Sequence, residues 1–223
     1  DAFLTLFEEA KAAGDDVVAV LLSGELSGTV QSAELARGLS GWEDHIFIVD
    51  SLSATLGLKL LVQRATALRQ SGYTAQKITS LLEEEKHRLR LYAVVDTLKY
   101  LQKGGRLPKA VAIAGSLLGI KPVITIAGGK VGVAGKARGL PGAYVAIFKL
   151  MTEQEGGIDA NTPCIIGYTG HRRTIEPFYR YVTEQMHLAA PQISPIGTVI
   201  GTHAGPGACG IAYFTAETAP SAL

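Results

Sequence analysis

A run of apolar residues that ends in two Ser-Gly steps constrains the fold of this chain more than any other stretch. Residues 17–22 are all apolar and include three valines, which is typical of a strand buried on both faces. The chain continues as Ser-Gly-Glu-Leu-Ser-Gly from Ser23, and residues 29–37 have the apolar spacing of an amphipathic helix. A strand that leads through such a loop into a helix is the repeating unit of an open parallel sheet.

The loop between this strand and this helix is a candidate site for an anion. Ligands of parallel sheets bind at the carboxyl ends of the strands, and a helix N-terminus carries partial positive charge. Ser23 and Ser27 offer hydroxyl groups there, Gly24 and Gly28 lie in the same loop, and we expect the loop to have free backbone N–H groups. An ordinary helix cap with turn glycines explains the same residues equally well from local chemistry alone.

Two enzyme classes are disfavoured at this loop. The nucleophile elbow of serine hydrolases has a glycine two positions before the serine, whereas Leu21 occupies that position before Ser23. A phosphate-binding loop of the Walker type needs a lysine after its glycines, whereas Thr29 follows Gly28.

The first part of the chain alternates helices and strands. Besides the elements above, it contains predicted helices over residues 3–13, 53–69 and 74–87 and a predicted strand over residues 45–49. This alternation predicts a doubly wound α/β domain over residues 1–89.

Beyond this point the pattern becomes mixed, which predicts a second, α+β domain over residues 90–223. The Gly128-Gly129 pair between strands at residues 121–126 and 130–137 indicates a hairpin. The further predicted elements are strands over residues 91–95, 164–168, 199–201 and 210–215, helices over residues 97–102, 109–118, 141–151 and 174–186, and a polar loop over residues 152–162.

Two further motifs carry candidate ligand-binding residues. A Gly-Gly-Arg sequence ends at Arg106, whose guanidinium can hold an anion with two hydrogen bonds. A helix stop followed by an exposed arginine is an equal alternative. His203, at a predicted strand end, precedes a Gly-Pro-Gly turn that begins at Gly205, and it can donate to an anion or be an ordinary surface histidine.

The composition argues against several classes of partner and cofactor. The 223 residues include 21 basic and 20 acidic side chains, so the net charge of +1 favours neither nucleic acid nor an anionic membrane. The longest run of low polarity, residues 110–120, is shorter than the ~20 residues of a membrane span. No His, Cys or carboxylate pair has metal-ligand spacing, so no metal is expected, and no other cofactor is expected either. The two separate cysteines favour a reducing, cytoplasmic location, and one disulfide between them is the alternative.

Four stretches of the sequence together resemble the DegV family, the bacterial fatty-acid-binding proteins also called FakB. They are residues 22–33 (LSGELSGTVQSA), 97–107 (TLKYLQKGGRL), 117–123 (LLGIKPV) and 203–208 (HAGPGA). Their order and spacing agree with the family over almost the whole chain. Four motifs in sequence are much more specific than any one of them alone.

The resemblance implies two α/β domains with a long-chain fatty acid buried between them and no catalytic nucleophile. The family's carboxylate-binding Ser and His correspond to Ser23 and His203, and Arg106 is expected near the head group. Such proteins present the fatty acid to a fatty acid kinase, which makes an acyl-phosphate, and then carry that product toward phospholipid synthesis. Lys136 and Arg138 correspond to basic residues that dock the kinase, although such charges are usually only solvated.

Two features depart from the family pattern. Family members begin with another strand-and-helix unit, from which a Thr also holds the carboxylate; no such unit precedes Asp1, so the first sheet is expected to lack a strand. Glu25 puts an acidic side chain in the proposed anion loop, and we expect it to point to solvent. Two alternatives stay open: an enzyme that acts on a small carboxylated or phosphorylated substrate at the Ser-Gly loop, and a scaffold or inactive fragment.

Overall fold

The computed structural model describes residues 2–108, 119–154, 157–188 and 191–216, and the chain divides into two compact units. One contains a two-stranded parallel sheet, and the other a six-stranded mixed sheet. The α/β fold class predicted from the sequence is confirmed, with a parallel sheet first and a mixed sheet second.

The first unit comprises the described residues up to Ala54, Leu58–His87 and the turn Gly128–Lys130. The helices and strands of this part of the chain are α1 (Ala2–Ala13), β1 (Val17–Leu21), α2 (Thr29–Ser40), β2 (Ile46–Asp50), α3 (Thr55–Gln70) and α4 (Ala75–Glu85). Each of them overlaps the element predicted for its stretch. The first turn of α3, Thr55–Gly57, is assigned to the second unit.

The strands of the first unit bring two loops side by side. β1 and β2 run parallel, with Val17 opposite Ile46 and Leu21 opposite Asp50. Their carboxyl ends therefore meet at one edge of the sheet, which is the edge where parallel sheets bind ligands. Phe7 of α1 and Ala33 of α2 belong to the buried apolar cluster that includes Ile46.

The second unit comprises Thr55–Gly57 and the other described residues from Arg88 onward, except the turn already named. Its strands lie in the order β5-β4-β3-β8-β6-β7. The elements are β3 (Leu89–Val94), α5 (Lys99–Lys103), β4 (Ile120–Ala127), β5 (Lys130–Arg138), α6 (Gly139–Lys149), β6 (Ile165–Tyr168), α7 (Glu176–Glu184), β7 (Gln192–Pro195), α8 (Thr198–Ala204) and β8 (Cys209–Phe214).

β8 lies inside this sheet between β3 and β6, is antiparallel to both, and has all of its residues buried. A Cβ atom on Gly210 would lie 2.5 Å from the carbonyl oxygen of Tyr92, so this position in β8 requires a glycine. Tyr144 of α6 and Phe178 of α7 lie in the core cluster of this unit, with ring centroids 4.9 Å apart.

Three local predictions in this unit are wrong or incomplete. Residues 199–201, predicted as a strand, lie in α8, because a three-residue apolar run carries no usable periodicity. β7 is absent from the prediction, since its sequence Gln-Ile-Ser-Pro is short and polar and ends in a proline, as an edge strand can. Leu150–Gln154 forms a π-helical turn where the polar loop was predicted to begin. The predicted helix over residues 109–118 lies outside the described residues.

An ion pair supports the chain beside the end of β8. Arg88 donates from Nη2 to Asp159 Oδ2 at 2.7 Å and from Nε to the carbonyl oxygen of Thr215 at 3.0 Å. The backbone N–H of Asn161 is the largest cause that lowers the pKa of Asp159; burial raises this pKa, and the Arg88 guanidinium lowers it further. The net shift is downward, so the folded protein favours the ionised carboxylate.

Asp159→Asn is expected to lower the free energy of unfolding by about 1–2 kcal/mol at neutral pH. Because the folded-state pKa of Asp159 lies below the unfolded value of about 3.9, its contribution is present above that value and is lost as pH falls through the folded pKa. Urea unfolding should therefore show the wild-type advantage shrinking as the pH is lowered from about 7 to about 3. The exposed Asp44→Asn is the control, and an advantage that stays constant over this range would contradict the assignment.

Candidate ligand-binding site

Ser23 follows β1 and is completely buried. Its Oγ donates to the carbonyl oxygen of Gly129 at 2.8 Å and accepts the backbone N–H of Glu25 at 3.2 Å. A Cβ atom on Gly129 would lie 2.5 Å from this Oγ, and the φ of Gly129 is +80°, so both facts require a glycine there. The hydroxyl is therefore held in place by backbone atoms.

A second set of polar residues after β2 supports this loop, and sequence reasoning assigned it no role. Asp50 accepts the backbone N–H of Gly24 on Oδ2 at 3.1 Å and that of Leu52 on Oδ1 at 2.9 Å. Ser53 is buried and accepts the backbone N–H of Ser23 on its carbonyl oxygen at 2.8 Å. The available signal was an Asp-Ser-Leu-Ser sequence directly after a predicted buried strand.

The expectation that this loop has free backbone N–H groups fails at Gly24, because Asp50 accepts the N–H of Gly24. The N–H groups of Leu26 and Ser27 donate to the carbonyl oxygen of Ser23 at 3.0 and 3.2 Å, so the loop uses them as well. The N-cap residue of α2 is Gly28, which has no side chain that could accept an N–H group of the first helical turn.

The acidic residue in the loop lies outward, as expected. Glu25 is exposed, and its Oε2 lies 3.3 Å from Nζ of Lys130. Ser27 is half-buried, and its hydroxyl lies 2.8 Å from that of Thr29. Of the loop's two serines, Ser23 is therefore the one whose hydroxyl is fully buried.

His203 lies in the last turn of α8 and not at a strand end, which corrects the predicted location. Its Nδ1 is buried and has no hydrogen-bond partner among the described residues. A Cβ atom on Gly104 would lie 2.0 Å from this Nδ1 and 2.6 Å from Cε1. The imidazole therefore packs directly on the backbone of Gly104, which no other residue type would permit.

The turn after His203 is held by the same neighbouring segment. Gly205 ends α8 with φ +79°, and a Cβ atom there would lie 2.4 Å from Cδ2 of Tyr100 in α5. Arg106 is exposed and donates from Nη1 to the carbonyl oxygen of Gly104 at 2.6 Å. The structure thus gathers the Gly-Gly-Arg and His-Ala-Gly-Pro-Gly motifs into one cluster, in which Tyr100 is the member to which sequence reasoning gave no role.

The predicted ligand-binding residues form two groups, each within its own unit. The loop of the first unit contains Ser23, Gly24, Ser27 and Gly28. The second unit contains the other three, which are Arg106, His203 and Gly205. Their joint use by one ligand stays a prediction.

Lys136 and Arg138 are both exposed on β5, the edge strand of the larger sheet. Because they are two positions apart in a strand, their side chains leave the same face. Their role in docking a partner stays a prediction.

The described part of the chain offers little support for a cysteine nucleophile, a metal site or a membrane-spanning helix. Burial raises the pKa of the Cys209 thiol to about 12 and that of Cys164 to about 11, so neither is a ready nucleophile near neutral pH. Among the described residues, no cluster of three or more His, Cys, Asp or Glu side chains could hold a metal ion. None of the described helices combines the length and apolar character needed to cross a membrane.

Known proteins of one family are similar to this chain in sequence and in fold. The sequence model of the DegV family, described as uncharacterised proteins, matches residues 1–216. A DegV domain-containing protein of Deinococcus radiodurans is 34% identical over 213 residues, which cover 94% of this chain and 74% of that protein. A solved DegV family protein from Thermus thermophilus, described by its fatty acid binding, is 31% identical with a TM-score of 0.83, covering 96% of this chain and 76% of that one.

A more distant structure shares the fold. The Streptococcus pneumoniae fatty acid kinase (Fak) B3 protein loaded with linoleic acid is 24% identical, with a TM-score of 0.81 over 96% of this chain and 75% of that one. This chain is therefore an α/β protein with a small parallel sheet and a larger mixed sheet, and its fold is similar to that of these solved proteins. The chain belongs to the DegV family, which confirms the resemblance seen in the sequence.

Gly104→Ala tests the packing of His203. The new Cβ would overlap the imidazole at 2.0 Å, so the ring must leave its position, and its NMR ring signals are expected to shift. Gly38→Ala is the matched control, because a Cβ atom there meets nothing within 4 Å. We expect Gly38→Ala to leave the His203 signals unchanged and to stabilise α2 by about 1 kcal/mol. Unchanged His203 signals in Gly104→Ala would contradict the packing.

Proposed function

We propose that this protein binds one long-chain fatty acid and holds its carboxylate with His203 and Ser23. The observation that carries the proposal is Nδ1 of His203, which is buried and has no hydrogen-bond partner among the described residues. An unsatisfied buried polar group costs about 1–3 kcal/mol, and a bound carboxylate is an acceptor that removes this cost for an imidazole N–H.

Ser23 would hold the carboxylate by exchanging its acceptor. Its single hydroxyl proton points to the carbonyl oxygen of Gly129, while its oxygen accepts the N–H of Glu25. A carboxylate is a better acceptor than a peptide carbonyl, since charge-assisted hydrogen bonds are roughly twice as strong as neutral ones. The exchange therefore replaces a neutral hydrogen bond with a charge-assisted one and leaves the bond from Glu25 intact.

The other predicted residues have supporting roles in this proposal. Gly24, Ser27 and Gly28 shape the loop at the start of α2, whose N-terminal end is positive. Arg106 adds an exposed positive charge beside Gly104 and so favours an anion near His203, and Gly205 sets the turn after His203.

The acyl tail would supply most of the affinity. Each buried methylene contributes about 0.8 kcal/mol, so a chain of roughly sixteen carbons outweighs one carboxylate with two or three hydrogen bonds. The head-group residues then fix the direction of the ligand. The T. thermophilus DegV protein, described by its fatty acid binding, supports the same ligand class for this chain.

The geometry favours a carrier over an enzyme. A catalytic serine needs a general base within hydrogen-bond reach, whereas the Ser23 hydroxyl donates to a peptide carbonyl. The thiols have raised pKa values, as described above. We infer that the bound fatty acid is presented to a fatty acid kinase, and that Lys136 and Arg138 form the docking surface for an acidic patch on that kinase.

Protein purified from bacterial cells is expected to release long-chain fatty acid into organic solvent, as detected by mass spectrometry. Ser23→Ala and His203→Ala are each expected to weaken palmitate affinity about tenfold in calorimetric titration, because each removes one charge-assisted hydrogen bond. The exposed residues Ser32 and His171 provide matched controls as alanine variants. Extracts without any acyl chain, together with wild-type protein that does not bind palmitate, would refute the proposed function.

A charge reversal tests the docking surface separately. Lys136→Glu with Arg138→Glu is expected to slow acyl-phosphate formation by a fatty acid kinase about tenfold or more at low salt, because both charges would then repel an acidic partner surface. Palmitate affinity should stay at the wild-type value. Lys149→Glu, on α6, is the control for charge alone. Equal rates for the double variant and wild type would remove these residues from the docking surface.

A further inference from the structure

Thr169 directly follows β6 and is buried, with 4% of its surface exposed. Its Oγ1 donates to the carbonyl oxygen of Gly205 at 2.7 Å and accepts the backbone N–H of Ala208 at 2.9 Å. Its own backbone N–H donates to the carbonyl oxygen of Ala208, also at 2.9 Å. One residue thus satisfies backbone groups at both ends of the Gly-Pro-Gly turn that follows His203.

The two branches of the Thr169 side chain contact different structures. The hydroxyl binds the turn, whereas the methyl group faces α8, since a Cβ atom on Gly201 would lie 3.9 Å from Cγ2 of Thr169. Gly205 in turn donates its N–H to the carbonyl oxygen of Gly201 at 2.8 Å, which closes the end of α8. His203 lies between these two glycines in the chain, so the hydroxyl acts on the segment that carries the imidazole.

We propose that the Thr169 hydroxyl is a positioning group for the fatty-acid site: it fixes the turn at Gly205 and thereby holds His203 against Gly104. The inference rests on the proposed function for its ligand, but the contacts that carry it lie within the second unit. Gly205 and Ala208 are both buried, so without the hydroxyl a carbonyl oxygen and an N–H group in this turn would lose their partner. The turn would then relax toward other acceptors and donors, and the imidazole would move with it.

Two substitutions separate the hydroxyl from the shape of the side chain. Thr169→Val keeps the branched shape and removes the hydroxyl, whereas Thr169→Ser keeps the hydroxyl and removes the methyl group. We expect Thr169→Val to weaken palmitate affinity about tenfold and Thr169→Ser to stay within about twofold of wild type, at a temperature where every variant is folded. Thr183→Val is the matched control, because Thr183 Oγ1 donates to the carbonyl oxygen of Tyr179 within α7.

The imidazole ring signals in NMR spectra provide a readout that does not depend on ligand. Thr169→Val should shift the His203 ring signals and leave those of His45 in place, and Thr169→Ser should shift neither. If Thr169→Val does not fold, Thr169→Cys replaces it, because a thiol has the same position but is a poor hydrogen-bond donor.

Two results would overturn the assignment: unshifted His203 signals in Thr169→Val, or equal loss of affinity in the Ser and Val variants, which would show that the hydroxyl contributes no more than the methyl group. If wild-type protein neither releases an acyl chain nor binds palmitate, the proposed function fails, while the ring signals still decide the role of Thr169.

Discussion

Close packing of a polar side chain against a glycine backbone is the constraint on which both parts of the candidate site depend. The imidazole of His203 occupies the space that any Cβ atom at Gly104 would need, and the hydroxyl of Ser23 stands in the same relation to Gly129. In each case the neighbour is main chain, which has far less freedom to move than a side chain. The position of each of these polar atoms is therefore set by the path of the backbone.

The Ser23 hydroxyl and the His203 imidazole differ in how far their hydrogen-bonding capacity is already used. The Ser23 loop is held by its own bonds, with the hydroxyl shared between Gly129 and Glu25 and the Gly24 N–H taken by Asp50. The His203 ring is held by packing, and its Nδ1 has no partner among the described residues. Such a ring can donate a hydrogen bond to a carboxylate without giving up another bond, whereas Ser23 must exchange one acceptor for another. His203 is thus the residue whose contribution to binding is expected to be the more direct.

Most elements could be predicted because each carries a strong local signal. The valine-rich run predicts β1, Thr74 caps α4 through the backbone N–H of Lys77, and the Gly128-Gly129 pair with positive φ at both positions forms the hairpin turn. The failures, α8 and β7, are short elements whose identity depends on their neighbours. A seven-residue helix that packs on α5 has no periodic pattern long enough to mark it.

The sequence by itself determined the family and the side chains able to bind an anion, because its motifs place Ser23, Arg106 and His203 next to glycines in a fixed order. Only the tertiary structure decided that Asp50 takes the N–H of Gly24 and that His203 rests on Gly104. These contacts join residues far apart in the chain. They follow from how strands and helices pack in three dimensions, and no local pattern of residues encodes that geometry.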